Sequence, residues 1–344
     1  MSFMYFNGEE LNYIWKSICN VQMVFHPKYS INGNIDFKRL LEIKSNKKVC
    51  VLLDRNLLSS LLTLSRDGSL KNEKEMRLIA LLMAWALMND FPISAGLAIK
   101  EKATSSKDLL NAKIELQEFN NVFSYYPSML WLRLAEGEIN SIPPCPLNKK
   151  PYEANLDYTE QDDHLLMHIS EMLHIVYLTK QYELSQAQKM LDFIEWNYEN
   201  LLLCETTIVY AAMLFTNQLG VRPPKYSGSN KINKIFEGCE NQAWDLTYLS
   251  NWSTFHYSED DMDDIFLFAT NDNLLKMIFI NTYAEGGVNA LLYSVFNQKE
   301  YNRIIDFMIA NQGKNRKKPD FGKYPRKYFY KLIDNERQRI ISKL

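Results

Sequence analysis

The sequence predicts an α/β protein, rich in helix, in which a short parallel sheet is flanked by helices and the sheet-forming core carries a large all-helical insertion. Three observations predict it. Two short apolar runs, at 49–53 and 265–270, each end beside an acid and lead into a helix start, the pattern of buried parallel strands. Residues 156–220 keep helical spacing throughout. At 344 residues and 47% hydrophobic, the chain can bury the core of one large domain or two ordinary ones.

Residues 1–46 mix aromatics with polar turns and predict helices near 9–19 and 37–43, a lead-in without a motif. The run KKVCVLLDRNLLSSLL at 47–62 then reads as strand, acidic tip and helix, with Asn56 or Ser59 as the helix start. An acid such as Asp54 at the carboxyl end of a strand faces the crevice where open α/β sheets bind ligands. Asp and Asn also cap helices and form turns, which is the purely structural alternative. Residues 72–89 are apolar on nearly all sides after a charged first turn and predict a buried helix. In 91–103, Pro92 marks an entry and Gly96 a bend, and Glu101 ends an apolar run between two lysines. Helices follow at 109–126 and 129–135, and the proline-rich stretch 141–151 (SIPPCPLNKKP) is the candidate boundary.

Three packed helices are expected at 158–179, 184–198 and 205–219, then a loop at 220–238 with Pro223, Pro224 and Gly228. The helix expected at 241–252 carries Asp245 near its first turn, where an acid also suits the helix dipole. An acidic cluster at 259–264 precedes the second strand, which ends in Asn271, Asp272 and Asn273 and so repeats the opening pattern. Residues 286–344 are expected to form a basic helical tail.

Composition narrows the function classes. There is no run of 18 or more apolar residues and no signal-like N-terminus, so a cytoplasmic protein without membrane partners is expected. Five scattered cysteines without a CxxC pair predict neither a zinc ribbon nor a disulfide framework, and mostly buried thiols. The net charge of −2 hides an asymmetry: from Lys299 onward 13 basic face 5 acidic residues, while the rest of the chain carries 26 against 36. That basic end interleaves Lys317, Lys318, Arg326 and Lys327 with Phe321, Tyr324, Tyr328, Phe329 and Tyr330, a composition suited to phosphate contacts and to stacking on unpaired bases. A solvated amphipathic helix is the alternative. His164, His168, Glu171 and His174 share a helix face at metal-ligand spacing, but the facing-helix acids of a di-metal bundle are missing, and no zinc or iron site is expected.

The strand-end acids, with a helix aspartate shortly before the second strand, resemble the PIN domain family of metal-dependent nucleases. The matching positions are 53–57 (LDRNL), Glu101 in 97–101 (LAIKE), Asp245 in 244–246 (WDL) and 270–272 (TND), with Glu115 and Glu118 as rivals for the second. The resemblance covers residues 47–285 and implies a three-layer PIN-like core with a helical insertion at about 140–240. It implies that Asp54, Glu101, Asp245 and Asp272 are catalytic and bind magnesium or manganese, and that Asn56 positions a ligand or water. It further implies an endonuclease acting on RNA in preference to DNA, of the kind found among bacterial toxins and anti-phage effectors, with an inhibitory or activating protein partner as one mode of control. More than 140 residues separate Glu101 from Asp245, which departs from the compact family pattern. The alternatives are a nucleic-acid-binding protein without catalysis, or a helical protein-interaction module in which these aspartates are caps.

The residue types suit the chemistry. Carboxylates crowded in one cleft repel by roughly 4 kcal/mol per close pair at an effective dielectric near 20, so they take up protons or bind cations. Magnesium and manganese favour hard oxygen ligands and also bind phosphate.

Overall fold

The computed structural model describes residues 8–31, 33–44, 46–146, 150–153, 160–311 and 325–344. The chain divides into two compact units, one of residues 1–160 with 252–272 and one of 161–251 with 273–344.

The first unit holds the sheet. Its strands in chain order are β1 (Val24–Phe25), β2 (Ser30–Ile31), β3 (Asn34–Ile35), β4 (Lys48–Leu53), β5 (Ile93–Ser94) and β6 (Asp264–Ala269). Four of them form one sheet in the order β1-β6-β4-β5, and β2 and β3 pair as a separate ribbon. The fold is therefore α/β and helix-rich, but the sheet is mixed: β4 runs parallel to β5 and β6, whereas β1 is antiparallel to β6. That outer strand corrects two expectations, the all-parallel sheet and the lead-in outside the core. Met23 and Val24 are buried, as are Ile14 and Ile18 of the first helix, α1 (Gly8–Asn20). Burial is continuous at the carboxyl ends of β4 and β6, as expected of strands covered on both faces.

Around the sheet stand α2 (Phe37–Lys44), α3 (Arg55–Asp67), α4 (Glu73–Met88), α5 (Gly96–Ser106), α6 (Leu109–Tyr125) and α7 (Ser128–Glu136). Helix α3 buries Leu57, Leu58, Leu61, Leu62 and Leu64 on the face toward the core, and it ends where Gly68 turns into the left-handed region at φ 76°. A Cβ at Gly68 would lie 2.4 Å from the Ile142 carbonyl oxygen, so both conformation and space require glycine there. Asn72 caps α4 through the Glu75 N–H, and the helix is buried from Ile79 through Ala86. The segment 91–103 supplies β5 and most of α5. Its strand is only two residues long and left no period to detect.

The second unit is helical among its described residues, with α8 (Asp163–Thr179), α9 (Gln186–Asn200), α10 (Glu205–Phe215), α11 (Ile232–Tyr257, of which 232–251 belong here), α12 (Asn273–Tyr283), α13 (Gly287–Val295), α14 (Gln298–Asn311) and α15 (Pro325–Ile341). The loop expected at 220–238 is present only as far as 231, and helix α11 corrects the rest by starting at Ile232. Gly238, which reads as a breaker, sits inside the helix because a Cβ there would meet the Lys225 carbonyl oxygen at 1.7 Å. Close backbone approach, rather than a turn, explains that glycine. The end of the chain is no free tail: α15 packs on α8 and buries Phe329, Leu332, Ile333 and Ile340. All five cysteines are free, and only Cys239 is buried, the other four being partly exposed.

Candidate functional site

Register creates the site. Strands β4 and β6 pair from Lys48 with Asp264 through Leu53 with Ala269, so the next residues, Asp54 and Thr270, emerge side by side at the carboxyl ends of two parallel strands. The Asp54 N–H donates to the Ala269 carbonyl at 3.1 Å and continues the ladder by one step. Asp54 is only 2% exposed. Its Oδ1 accepts the Leu57 N–H at 2.7 Å, which makes it the N-cap of α3, and its Oδ2 accepts the hydroxyl of buried Thr270. Thr270 Oγ1 in turn accepts the Asp272 N–H at 3.0 Å. One short relay therefore fixes Asp54 and the Asp272 backbone against each other.

The electrostatics of Asp54 are unusual for a cap. Burial pushes its carboxyl up to about 7 from an ordinary 3.8, the hydrogen bonds from Thr270 and Leu57 pull the other way, and the charges of Asp272 and Glu101 add to the rise. Arg55, next in the chain, does not neutralise it, because its guanidinium is committed to Glu115 through bonds of 2.6 and 3.2 Å. Glu118 is likewise paired with Arg66. Glu101 is the glutamate whose charge adds to the rise at Asp54.

The other expected site residues fall in several places. Asn56 is exposed on the first turn of α3. Asp245 belongs to the second unit, well inside α11 rather than in a first turn, and accepts a hydrogen bond from Gln242 at 2.8 Å. The helix-dipole explanation for Asp245 is thereby removed. Arg326 and Lys327 are exposed on the first turn of α15, whereas Lys317, Lys318, Phe321 and Tyr324 lie outside the described residues. Of the aromatics meant for stacking, Phe329 is buried and the Tyr328 hydroxyl donates to the Asn200 carbonyl, leaving Tyr330 exposed.

A second acidic centre in the first unit was not foreseen. Glu259 is buried between His26 and His256, with His26 Nε2 at 2.6 Å from one carboxylate oxygen and His256 Nδ1 at 3.3 Å from the other. Among the described residues, this is the group of three or more potential ligands whose atoms all lie within 4.8 Å of one another; Asp54, Asp272 and Glu101 are not drawn so close. Its chemistry argues for a clamp. His26 Nδ1 accepts the Lys28 N–H at 3.1 Å, so the ring proton is on Nε2 and is donated to Glu259. A metal on Nε2 would have to displace that proton while Nδ1 is already used as an acceptor, the reverse of the usual ligand tautomer. Lys28 adds a cation 3.8 Å from the carboxylate. Burial would raise the Glu259 carboxyl, but the hydrogen bonds and charges of the two histidines overcome it and hold the group down at about 2.

In the second unit His168 and His174 are buried and each faces a carboxylate, Glu171 at 2.6 Å and Glu336 at 2.8 Å. His174 also stacks on Trp196, whose indole N–H donates to Glu336. Searches against family models, curated proteins and solved structures found no match to this chain. No helix among the described residues is long and apolar enough to cross a membrane.

Proposed function

We propose that the chain is a divalent-metal-dependent nuclease, acting on RNA in preference to DNA, whose ligands are Asp54, Asp272 and Glu101. The observation that carries this reading is the state of Asp54. A carboxyl at the carboxyl end of a parallel strand, raised by its burial and further by the charges of Asp272 and Glu101, is suited to receive a cation. The donors are hard oxygens, which fits magnesium or manganese. The PIN-like three-layer arrangement, and a role as toxin or defence effector under the control of a protein partner, are part of the same reading and rest on the motif resemblance.

A bound divalent ion would supply an activated water and charge stabilisation on the transferred phosphoryl group. The chain's own residues do the rest. Thr270 orients the Asp54 carboxylate by donating to Oδ2, and its other side holds the Asp272 backbone, so the two acids keep a fixed spacing. Asn56, exposed one turn along α3, hydrogen-bonds the substrate backbone or an ordered water. Arg326 and Lys327 offer exposed cations for phosphate contacts.

One observation favours a second reading: Asp54 caps α3 well, and a cap needs no metal. Cleavage of a mixed RNA pool with magnesium, with manganese and with chelator separates the two. Metal-dependent cleavage that disappears in Asp272→Asn supports the nuclease, whereas intact RNA under every condition returns Asp54 to a structural cap.

A further inference from the structure

The second unit contains a directed chain of proton donors that the nuclease does not use. Cys204 sits at the start of α10, partly exposed, with its Sγ 3.5 Å from Ser250 Oγ. Ser250 Oγ lies 2.7 Å from His168 Nε2, and His168 Nδ1 lies 2.6 Å from Glu171 Oε2. The direction follows from what each atom can do. With Glu171 a carboxylate and His168 neutral, the ring proton is on Nδ1 and Nε2 accepts from the Ser250 hydroxyl. The Ser250 oxygen then has a lone pair for the Cys204 thiol. Thr207 donates to the same Glu171 oxygen at 2.9 Å, and Glu171 Oε1 is buried with no hydrogen-bond partner, so the carboxylate is kept acceptor-rich behind the imidazole. This is the nucleophile, base and orienter arrangement of covalent catalysis, lengthened by one hydroxyl.

We propose that Cys204 is a nucleophilic thiol served by Ser250, His168 and Glu171, and that it accepts acyl groups from small esters or thioesters. Burial divides the roles: Ser250, His168 and Glu171 are buried and can only relay or orient, while the thiol reaches the surface. The acyl class follows from the surroundings. The first backbone N–H groups of α10 suit a developing oxyanion, and Thr206 Oγ1, 3.0 Å from Sγ, can donate to the sulfur. Leu202, two residues before Cys204 and 51% exposed, adds apolar surface to the same segment. In the step, Cys204 Sγ forms a bond to the acyl carbon and the ester C–O bond breaks. The thiol proton passes to Ser250 as the Ser250 proton passes to His168 Nε2, and it returns by the same route to the leaving oxygen. Water then cleaves the thioester and restores the thiol.

The test uses full-length protein, p-nitrophenyl acetate and site-resolved mass spectrometry of all five cysteines. In the unfolded chain in urea the cysteines should be acetylated at similar rates. At pH 7 in native protein, Cys204 should react at least tenfold faster than in urea, while the buried Cys239 is protected. Ser250→Ala, which interrupts the relay, should lower the native rate at Cys204 about tenfold. Glu171→Gln, which keeps the shape but removes the charge, should move the midpoint of the pH profile, an effect that a merely structural role would not produce. Native Cys204 reacting no faster than in urea overturns the proposal without recourse to any variant, and so does an unchanged rate in folded Ser250→Ala. Neither result bears on RNA cleavage.

Discussion

The first unit buries two carboxylates at comparable depth, Asp54 and Glu259, and their environments drive them in opposite directions. Glu259 receives two histidines and a lysine and is held down at about 2; Asp54 is pushed up to about 7 by burial first, with the charges of two acids adding to it. Burial raises both: at Glu259 the two histidines overcome it, whereas at Asp54 the hydrogen bonds from Thr270 and Leu57 do not, and the charges of Asp272 and Glu101 add to the rise. Glu259 has all the partners it needs and works as a clamp that joins the β1 loop to the segment before β6. Asp54 has its hydrogen bonds, and the charges of Asp272 and Glu101 make its surroundings more negative.

Substitutions should separate the two centres. The largest effect is expected on cleavage: Asp272→Asn or Asp54→Asn should reduce RNA hydrolysis at least about 100-fold, as expected for loss of a ligand charge, while circular dichroism shows an intact fold. Glu259→Gln should instead leave metal-dependent cleavage measurable and lower stability by about 1–3 kcal/mol in urea unfolding, because it weakens the hydrogen bonds that buried His26 and His256 make to the carboxylate.

The pH dependence of stability should also differ in sign. Glu259, with its folded value depressed below 4.5, contributes stability that is present above 4.5 and is lost as pH falls toward 2. Asp54 has its folded value raised above 3.8, so it favours the native state at low pH and progressively opposes it as pH rises toward 7. Without metal, the advantage of Asp54→Asn over wild type should therefore grow by roughly 2–3 kcal/mol between pH 5 and pH 8. Paired melting curves at the two pH values check this, and an advantage that shrinks would mean that Asp54 is stabilised as an anion by a partner.

The smallest effect is expected on α15. Replacing exposed Arg326 and Lys327 by Ala should flatten the slope of log affinity against log salt for RNA by about one unit per phosphate contact, with no change in melting.

The difference between the two centres also explains what the sequence could reveal. Asp54 and Asp272 follow apolar runs of five or six residues, and parallel register carries the two strand ends to one place, so both the strands and the acids were legible. Glu259 was legible only as part of an acidic run, because its partner His26 is 233 residues away and lies next to a strand of two residues. A strand that short has no period to read. Gly238 was misread for a related reason: a glycine signals a backbone need but does not say whether that need is a turn or a close approach. The His168 face was visible as spacing, but its direction was not, since Ser250 and Thr207 come from other helices.

The most direct test of the Asp54 site is the melting temperature of wild type, Asp54→Asn and Glu259→Gln at pH 7.5, each with chelator and with saturating manganese. An ion that binds only the native state stabilises it by mass action, about 2.7 kcal/mol at a hundred times its dissociation constant. Wild type and Glu259→Gln should both gain from manganese, and Asp54→Asn should gain little or nothing. Equal gains in wild type and Asp54→Asn, or a gain lost only in Glu259→Gln, would contradict the assignment and move the metal to the histidine cluster.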